Sequence, residues 1–128
     1  MAAEKWNAAQ LKEFSGADDM KVSPFYRDGT TYGTPTWIWS VVTNDNLYVR
    51  AYNGQKSSWY QAAIYQGAGK IHLAGQDYEV KFERVTNTPE LDQAISAAYQ
   101  AKYANSPYLP PMLQVGPVGA TVKIIPAH

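Results

Sequence analysis

Short runs of alternating hydrophobic and polar residues recur along the chain and predict a mainly β protein. Turn-forming pairs such as Asp28-Gly29 and Gly75-Gln76 separate several of these runs, so neighbouring strands are expected to be antiparallel. In the run after Gly75-Gln76, Tyr78, Val80 and Phe82 fall on one face of the strand. The predicted strands are Lys21 to Arg27, Thr34 to Thr43, Leu47 to Tyr52, Lys70 to Ala74, Asp77 to Val85 and Ala120 to Ile125.

Two segments near the first strands show helical signals. Asn7 is a suitable N-cap for a short helix that runs to Phe14, with Gly16 as its stop. A second helix is expected to begin at Ser57 or Ser58 and to stop at the glycine-rich segment from Gly67. Residues at helical spacing within it are Trp59, Ala62, Ala63 and Gln66.

A third helix starts at Thr88-Pro89-Glu90, where a hydroxyl cap precedes a proline and an acid. It is expected to continue to about Tyr103 and to end at the proline-rich segment Asn105 to Pro111. Its predicted apolar face consists of Leu91, Ile95, Ala98 and Tyr99. Six strands with short helices predict one domain over residues 1–128, mostly β, arranged as a small antiparallel barrel.

Charge and composition exclude several classes of function. Eleven basic and eleven acidic residues are spread along 128 positions, so the chain lacks the basic surface typical of a nucleic-acid-binding protein. There is no cysteine, and His72 and His128 are the two histidines, so no metal site is expected. The N-terminal segment carries charges and no segment is long enough to span a bilayer, which favours a cytoplasmic protein without membrane contact.

Aromatic residues are frequent: ten Tyr, four Trp and three Phe make up 13% of the chain. These rings can simply form the core and rim of a small β protein. Tyrosine also suits half-wet clefts and interfaces, because it combines an apolar ring with a polar tip.

Trp37 and Trp39 could lie either in the core or in a cleft or interface. They are expected to lie together, because residues two apart in a strand point to the same face. We expect Ile38 and Val42 to face the barrel interior. Trp37 and Trp39 would then face outward into a groove or a dimer interface. The opposite assignment, with both tryptophans in the core, is the alternative.

The densest polar and aromatic cluster lies between the third strand and the second helix. A strand delivers Arg50, a loop presents Lys56, and a helix begins with free backbone N–H groups. This combination is typical of an anion site, and of a phosphate site in particular. The alternative is that Ser57 merely caps a helix and Lys56 is a solvated loop residue. The full set of candidate ligand-binding residues is Thr36, Trp37, Trp39, Arg50, Asn53, Lys56, Ser57, Ser58, Trp59 and Tyr60.

No candidate catalytic acid or base emerges. Asp18 and Asp19 are adjacent, and Glu79 and Glu83 fall on the expected polar side of a strand, so surface charge explains them better than a glycosidase-type pair. The glycines do not follow a dinucleotide-binding pattern.

Several motifs together resemble a bacterial family called domain of unknown function 2255. They are Ser23-Pro24-Phe25, the run from Asp28 to Trp39, the run from Leu47 to Gly54, Trp59-Tyr60, and the run from Ala97 to Tyr103. The resemblance covers nearly the whole chain. The family in turn is remotely similar to split-barrel oxidoreductases that bind flavin or deazaflavin, such as deazaflavin-dependent nitroreductases and pyridoxamine phosphate oxidase.

The resemblance implies a six-stranded antiparallel split β-barrel that forms a homodimer and holds a cofactor in a groove at the dimer interface. Gly33-Thr34-Pro35, Asn53-Gly54, Lys56 and Trp59-Tyr60 match elements of the nitroreductases. By that likeness Lys56 and the helix start would bind the cofactor phosphate, with Arg50 as an additional candidate.

Two departures from the nitroreductases bear on the cofactor. Only four residues separate Gly54 from Trp59, and the loop DGTTYGTP has no Lys or Arg. A deazaflavin with a long polyanionic tail would lose partners, so flavin mononucleotide (FMN) or no cofactor becomes comparably plausible.

The sequence therefore leads to two hypotheses. The first is an oxidoreductase that binds FMN or deazaflavin, and the second is a non-catalytic barrel that binds a small aromatic or apolar ligand or only itself. A homodimer is expected from the large aromatics, Arg50 and the proline-rich segment Pro107 to Pro111 with Tyr108, Leu109 and Met112, since Tyr, Trp, Met and Arg are enriched at interfaces.

Overall fold

The computed structural model describes residues 6–52, 54–107 and 109–127. The described chain is mostly antiparallel β with short helices, as the sequence predicts. Its strands are β1 Lys21–Pro24, β2 Thr36–Trp37, β3 Ser40–Thr43, β4 Asn46–Arg50, β5 Ala68–Leu73, β6 Gln76–Arg84 and β7 Thr121–Pro126. Its α-helices are α1 Ala8–Gly16, α2 Ser58–Gln66, α3 Pro89–Lys102, α4 Leu109–Met112 and α5 Val115–Val118, with a 3₁₀ turn at Gly54–Lys56.

The strands form one curled sheet in the order β2-β1-β5-β6-β7-β4-β3, with every neighbouring pair antiparallel. The two edge strands, β2 and β3, are consecutive along the chain and are separated only by Ile38 and Trp39. A link of two residues spans a short distance, so the curl brings the two edges of the sheet close together.

The long strand predicted over Thr34 to Thr43 is divided into β2 and β3, which makes seven strands rather than six. β2 pairs with β1 and β3 pairs with β4, so the two halves serve opposite edges of the sheet. The N–H of Ile38 donates to the carbonyl of Met20 at 3.1 Å, just where the chain leaves β2. The alternation of side chains did not reveal this change of partner, because alternation reports faces and not pairing.

The first predicted strand is also shorter than expected, since β1 ends at Pro24. Beyond it the chain forms a turn in which the N–H of Tyr26 donates to the carbonyl of Thr31 at 2.8 Å. Gly33 returns against β1 so closely that a Cβ there would lie 2.7 Å from the carbonyl oxygen of Pro24. That approach explains why glycine precedes Thr34-Pro35.

The predicted helix signals act as expected at α1 and α3. The side chain of Asn7 accepts from the N–H of Gln10 at 2.7 Å, and the side chain of Gln10 accepts from the N–H of Asn7 at 3.0 Å. The hydroxyl of Thr88 accepts from the N–H of Leu91 at 3.2 Å. α2 stops at Gly67, which has φ 69°.

The proline-rich segment was predicted only to break a helix, but α4 Leu109–Met112 forms within it. Its two prolines, Pro110 and Pro111, fall in the first turn, where a backbone N–H has no intrahelical partner to lose.

Two clusters of buried side chains lie on the two faces of the sheet. The inner cluster joins strand residues such as Val22, Leu47 and Ile71 to Phe14 of α1 and Ala63 of α2. The outer cluster is centred on Val41, Tyr48, Ile95, Tyr99, Leu109 and Met112, so α3 and α4 cover the β3–β4 side. No helix in residues 6–52, 54–107 and 109–127 has the length and apolar character needed to cross a membrane.

Candidate functional site

A pocket of about 460 Å³ opens where β2, β4, α2 and α4 approach one another. We call it the tryptophan pocket. Seven of the ten residues proposed from the sequence lie in its wall, namely Thr36, Trp37, Trp39, Arg50, Ser57, Ser58 and Trp59. The remaining wall is formed by Ile38, Tyr52 and Met112.

The two tryptophans of the predicted strand differ in their surroundings. Trp39 is half-buried and stacks on Tyr103 of α3, with ring centroids 4.0 Å apart and an interplanar angle of 4°. Trp37 is 67% exposed, and its indole N–H donates to the carbonyl of Asp18 at 3.0 Å. Ile38 and Val42 pack against the inner cluster, as predicted. The alternative with both tryptophans in the core is wrong.

Arg50 is fully buried, although the sequence placed it among ligand-binding residues. Its Nη1 donates to the hydroxyl of Ser96 at 3.0 Å and to the carbonyl of Met112 at 3.2 Å, and its Nη2 donates to the carbonyl of Asp92 at 3.2 Å. Its Nε has no hydrogen-bond partner, and the guanidinium carbon lies 5.4 Å from the centre of the Tyr99 ring. Burial lowers the pKa of the guanidinium from its ordinary value.

No carboxylate within the described residues forms an ion pair with Arg50. The charge of Asp92 still favours the charged guanidinium and acts against the effect of burial. A buried guanidinium raises the electrostatic potential in the adjoining pocket, because the protein interior screens charge less than water does. Arg50 therefore supports α3 and α4 directly and, as part of the wall, favours an anion in the tryptophan pocket.

The start of α2 forms one side of the pocket. Gly54 has φ 72° and begins the 3₁₀ turn that leads into Ser57, the N-cap residue. Serine is common at an N-cap because its hydroxyl usually accepts from a backbone N–H of the helix. The side chain of Ser57 makes no such hydrogen bond. The first N–H groups of α2 are likewise unpaired within the helix.

Two of the other predicted residues lie outside the described pocket wall, and the third is not described. Lys56 is exposed and is not part of the pocket wall. Tyr60 is buried in the inner cluster. Asn53 lies outside the described residues.

A second pocket, of about 690 Å³, adjoins the first on the other side of the α2 start. We call it the tyrosine pocket. The two pockets share Thr36, Ser58 and Trp59. The rest of its wall consists of Pro24, Phe25, Tyr26, Arg27, Gly33, Thr34, Gln61, Ala62, Tyr65 and Gln66.

The tyrosine pocket was not predicted from the sequence, but a signal for it exists in α2. Ser58, Gln61, Ala62, Tyr65 and Gln66 recur at intervals of three and four and therefore share one face of the helix. This face is less apolar than the opposite one, which carries Trp59, Tyr60 and Ala63 into the core. A polar face that includes an exposed tyrosine resembles ordinary solvent exposure, so the pattern alone did not indicate a pocket.

The two pockets share an unusual charge pattern. Each has one arginine in its wall, and no acidic residue contributes to the described wall of either. The whole chain contains equal numbers of acidic and basic residues, so this local excess of positive charge comes from placement. An anionic ligand is therefore favoured over a cationic one.

Of the carboxylates rejected from the sequence, Asp19 has a structural role. Asp19 accepts from the N–H of Ala74 at 2.8 Å and of Gly75 at 2.9 Å, and it lies 3.7 Å from Nε2 of His72. Burial alone would raise the pKa of the Asp19 carboxyl, but hydrogen bonds from the backbone of Ala74, Gly75 and Asp19 itself, together with the charge of His72, more than offset it and the pKa is lowered. Within residues 6–52, 54–107 and 109–127, no group of three His, Cys, Asp or Glu side chains is placed to hold a metal ion.

The comparison with known families identifies this chain. It belongs to the family described as an uncharacterized protein conserved in bacteria, domain of unknown function 2255, whose profile matches residues 10–124. No protein with a curated description matches the chain.

Proposed function

We propose that this member of an uncharacterised bacterial family binds a flavin-type cofactor in the tryptophan pocket and acts as an oxidoreductase. The observation that carries the proposal is the convergence of seven predicted ligand-binding residues on one pocket. They come from two short segments of the chain, residues 36–39 of β2 and the β2–β3 link, and residues 50–59 from the end of β4 to the start of α2.

The pocket suits a flavin in size and chemistry. Its volume of about 460 Å³ falls in the range of small-molecule sites, roughly 300–1,000 Å³. Aromatic walls suit a planar ring, and an unpaired helix start beside a buried arginine suits a phosphate. With one cation in the wall, the pocket fits FMN better than a deazaflavin that carries a long polyanionic tail.

The residues of the chain would bind and orient the cofactor. The N–H groups at the start of α2 and the uncommitted hydroxyl of Ser57 would donate to the phosphate, and exposed Lys56 would add charge at the same end. Trp39 is held rigidly by its stacking on Tyr103, so it forms a fixed wall for the ring. A bound flavin would supply hydride transfer, and the protein would position it and shield it from water.

The six-stranded split barrel is part of this proposal. β2 and β3 are joined by only two residues and lie at opposite edges of the sheet. Counted as one bent strand, they would reduce the strands to six and close the sheet into a barrel. A homodimer with the groove at its interface belongs to the same proposal.

Binding is tested by titrating the purified protein with FMN, riboflavin and a reduced deazaflavin while following flavin fluorescence. We expect FMN to bind more tightly than riboflavin, because riboflavin lacks the phosphate. No binding of FMN or deazaflavin at ~100 μM would exclude the function, since even a site of about −5 to −6 kcal/mol would begin to fill at that concentration.

The position of the phosphate is tested with Lys56→Gln, because Lys56 is exposed and its loss is not expected to disturb the fold. The variant should bind FMN several-fold less tightly and riboflavin unchanged. Lys12→Gln, which alters an exposed lysine of α1, is the control. Equal effects of both variants on FMN would remove Lys56 from the phosphate site.

A non-catalytic binding protein for a small aromatic ligand is the second candidate. It is favoured by the commitment of both Nη atoms of Arg50 to hydrogen bonds within the protein and by the position of Lys56 outside the pocket wall. Thermal-shift measurements separate the two functions, because a ligand that binds only the folded state raises the melting temperature. Stabilisation by aromatics without phosphate, and none by flavins, would favour the second.

A further inference from the structure

The tyrosine pocket has no role in the function proposed above, yet it is the larger of the two pockets. Its wall contains Tyr26, Tyr65 and Trp59 together with Arg27. We propose that it is a second ligand site and that its ligand is a planar aromatic molecule with one negative charge, such as an aromatic carboxylate.

The exposed aromatic surface of the described residues is concentrated at the two pockets. Four large hydrophobic side chains are exposed among the described residues: Tyr26, Trp37, Tyr52 and Tyr65, with Tyr65 at 79%. All four line one of the two pockets, two in each. Exposed aromatic surface that is gathered around concave sites indicates ligands with aromatic rings better than scattered exposure would.

Several aromatic rings in and around the tyrosine pocket are held in place by neighbouring groups. The hydroxyl of Tyr26 lies 3.0 Å from the hydroxyl of Thr34, which fixes the tip of the side chain while its ring stays half exposed. Trp59 is only 8% exposed and is held by the inner cluster. Phe25 stacks on Tyr32 at a centroid distance of 4.9 Å. Rings that are already ordered lose little conformational entropy when a ligand binds.

The charge of the tyrosine pocket favours an anionic group in its ligand. Arg27 is exposed and forms no hydrogen bond or ion pair with another described residue, so its guanidinium is available to a ligand. No acidic residue lines the described wall of the pocket, and its other polar side chains are neutral, among them Thr34, Thr36, Ser58, Gln61 and Gln66. One arginine can pair with one carboxylate through two parallel hydrogen bonds. A single anionic group fits this wall better than a polyanion.

The tyrosine pocket lies next to the tryptophan pocket. The shared wall of Thr36, Ser58 and Trp59 means that a ligand in the tyrosine pocket lies directly beside the tryptophan pocket. If the first pocket binds a redox cofactor, the second is placed to bind the molecule that reacts with it. Only this role as second reactant rests on the proposed function, and the binding itself does not.

The proposal is tested by calorimetric titration with 2-naphthoate and with its uncharged analogue 2-naphthalenemethanol. We expect the carboxylate to bind about tenfold more tightly, since a hydrogen bond to a charged group is stronger than one to a neutral group. Arg27→Gln should abolish the preference for the carboxylate. Arg84→Gln, which alters an exposed arginine at the end of β6, should keep it.

Tyr65→Ala locates the ring, because Tyr65 lines only the tyrosine pocket and its exposed side chain adds little to the fold. It should weaken both probes several-fold, with no change in melting temperature. FMN should still bind in the presence of saturating 2-naphthoate if the two sites are separate.

The outcomes distinguish this proposal from the proposed function. Arg27-dependent binding of 2-naphthoate without any binding of FMN would support the second site and exclude the flavin. Binding of 2-naphthoate that is insensitive to Arg27→Gln, or that competes with FMN, would overturn the second site. Failure of both naphthalene probes to bind would also overturn it, including the case in which another copy of the chain covers the pocket.

Discussion

Arg50 joins three parts of the structure through a single side chain. Its guanidinium links β4 to α3 through Ser96 and the carbonyl of Asp92, and to α4 through the carbonyl of Met112. The backbone N–H of Arg50 donates to the hydroxyl of Tyr99 at 2.9 Å, and that hydroxyl donates to the carbonyl of Trp39 at 3.2 Å. One residue thus sets the position of several parts of the pocket wall.

We expect Arg50→Met to destabilise the fold by about 2 kcal/mol. Removing the charge relieves the cost of burying it, but two carbonyls and a hydroxyl lose their donor, and unsatisfied buried groups cost about 1–3 kcal/mol each. Urea denaturation measures the change. Arg84→Met, at an exposed position, should stay within about 0.5 kcal/mol of wild type. A stable Arg50→Met protein would contradict the bridging role.

Lys102 is a partly buried cation on α3. Its Nζ donates to the carbonyl of Ser40 at 2.7 Å and to the carbonyl of Phe14 at 3.2 Å, so it joins α3 to β3 and to the C-terminal end of α1. Burial lowers its pKa to about 8, although the charges of Asp18 and Asp19 act in the opposite direction. The ordinary value for lysine is 10.5.

The lowered pKa of Lys102 predicts a dependence of stability on pH. Between about pH 8 and 10.5 the unfolded chain keeps the proton more readily than the folded one, so the free energy of unfolding should rise with pH in that window. Burial raises the pKa of Tyr103 to about 12, and that of Tyr99 is raised as well. Measurements from pH 7 to 9.5 therefore report mainly on lysine. Wild type should gain stability relative to Lys102→Met over that range, and a constant difference would refute the assignment.

At the scale of elements, the helices differ in how they begin. Thr88 caps α3 with its hydroxyl, whereas Ser57 stands at the N-cap of α2 without a side-chain cap. Loss of a capping side chain costs about 1 kcal/mol. The same serine-or-threonine signal in the sequence therefore has two different meanings in this fold.

Thr88→Ala should lower the free energy of unfolding by about 1 kcal/mol, and Ser57→Ala should change it by less than about 0.5 kcal/mol. Thermal denaturation of the two variants side by side makes the comparison. A large loss of stability in Ser57→Ala would mean that its hydroxyl is structural and not reserved for a ligand.

The elements that the sequence predicted well are those set by local chemistry. Asn7, Thr88-Pro89 and Gly67 mark helix ends through contacts within a few residues, and the hairpin of β5 and β6 follows from alternation and a turn. What the sequence did not reveal depends on distant partners. The break between β2 and β3 arises because their partners lie at opposite edges of the sheet.

The candidate site follows the same rule. The cluster from Arg50 to Trp59 was visible as a polar and aromatic run, and most of it lines one pocket. The burial of Arg50 was not visible, since its hydrogen-bond partners are 42 to 62 positions away. The tyrosine pocket was also missed, because Tyr26 and Tyr65 come to line one pocket only after β1 and α2 pack together.

At the scale of the whole molecule, fewer of the residues that predicted a homodimer are available to form an interface. Arg50, Leu109 and Met112 are buried within the chain and cannot form an interface, and Tyr108 lies outside the described residues. Trp37 remains as a large exposed ring beside the tryptophan pocket. It is the residue through which a second copy would be expected to dock.

Light scattering at tens of micromolar should therefore give twice the chain mass of 14.2 kDa. Trp37→Glu should give monomers, because a charge left unpaired in a dry interface costs several kcal/mol. Trp37→Phe keeps an aromatic ring and should remain dimeric. A monomeric wild type would remove the dimer and the idea that a second chain completes the pocket.

The order of strands has a consequence for synthesis of the chain. β7 is made after the other six strands, yet it lies between β6 and β4. Before Thr121 leaves the ribosome, the strands fall into two separate groups, β2-β1-β5-β6 and β4-β3, and a two-stranded hairpin is marginal on its own. The facing edges of β6 and β4 stay unpaired until then, and such edges invite pairing with other chains. A nascent chain of this family that stalls late in translation is therefore a natural client for chaperones.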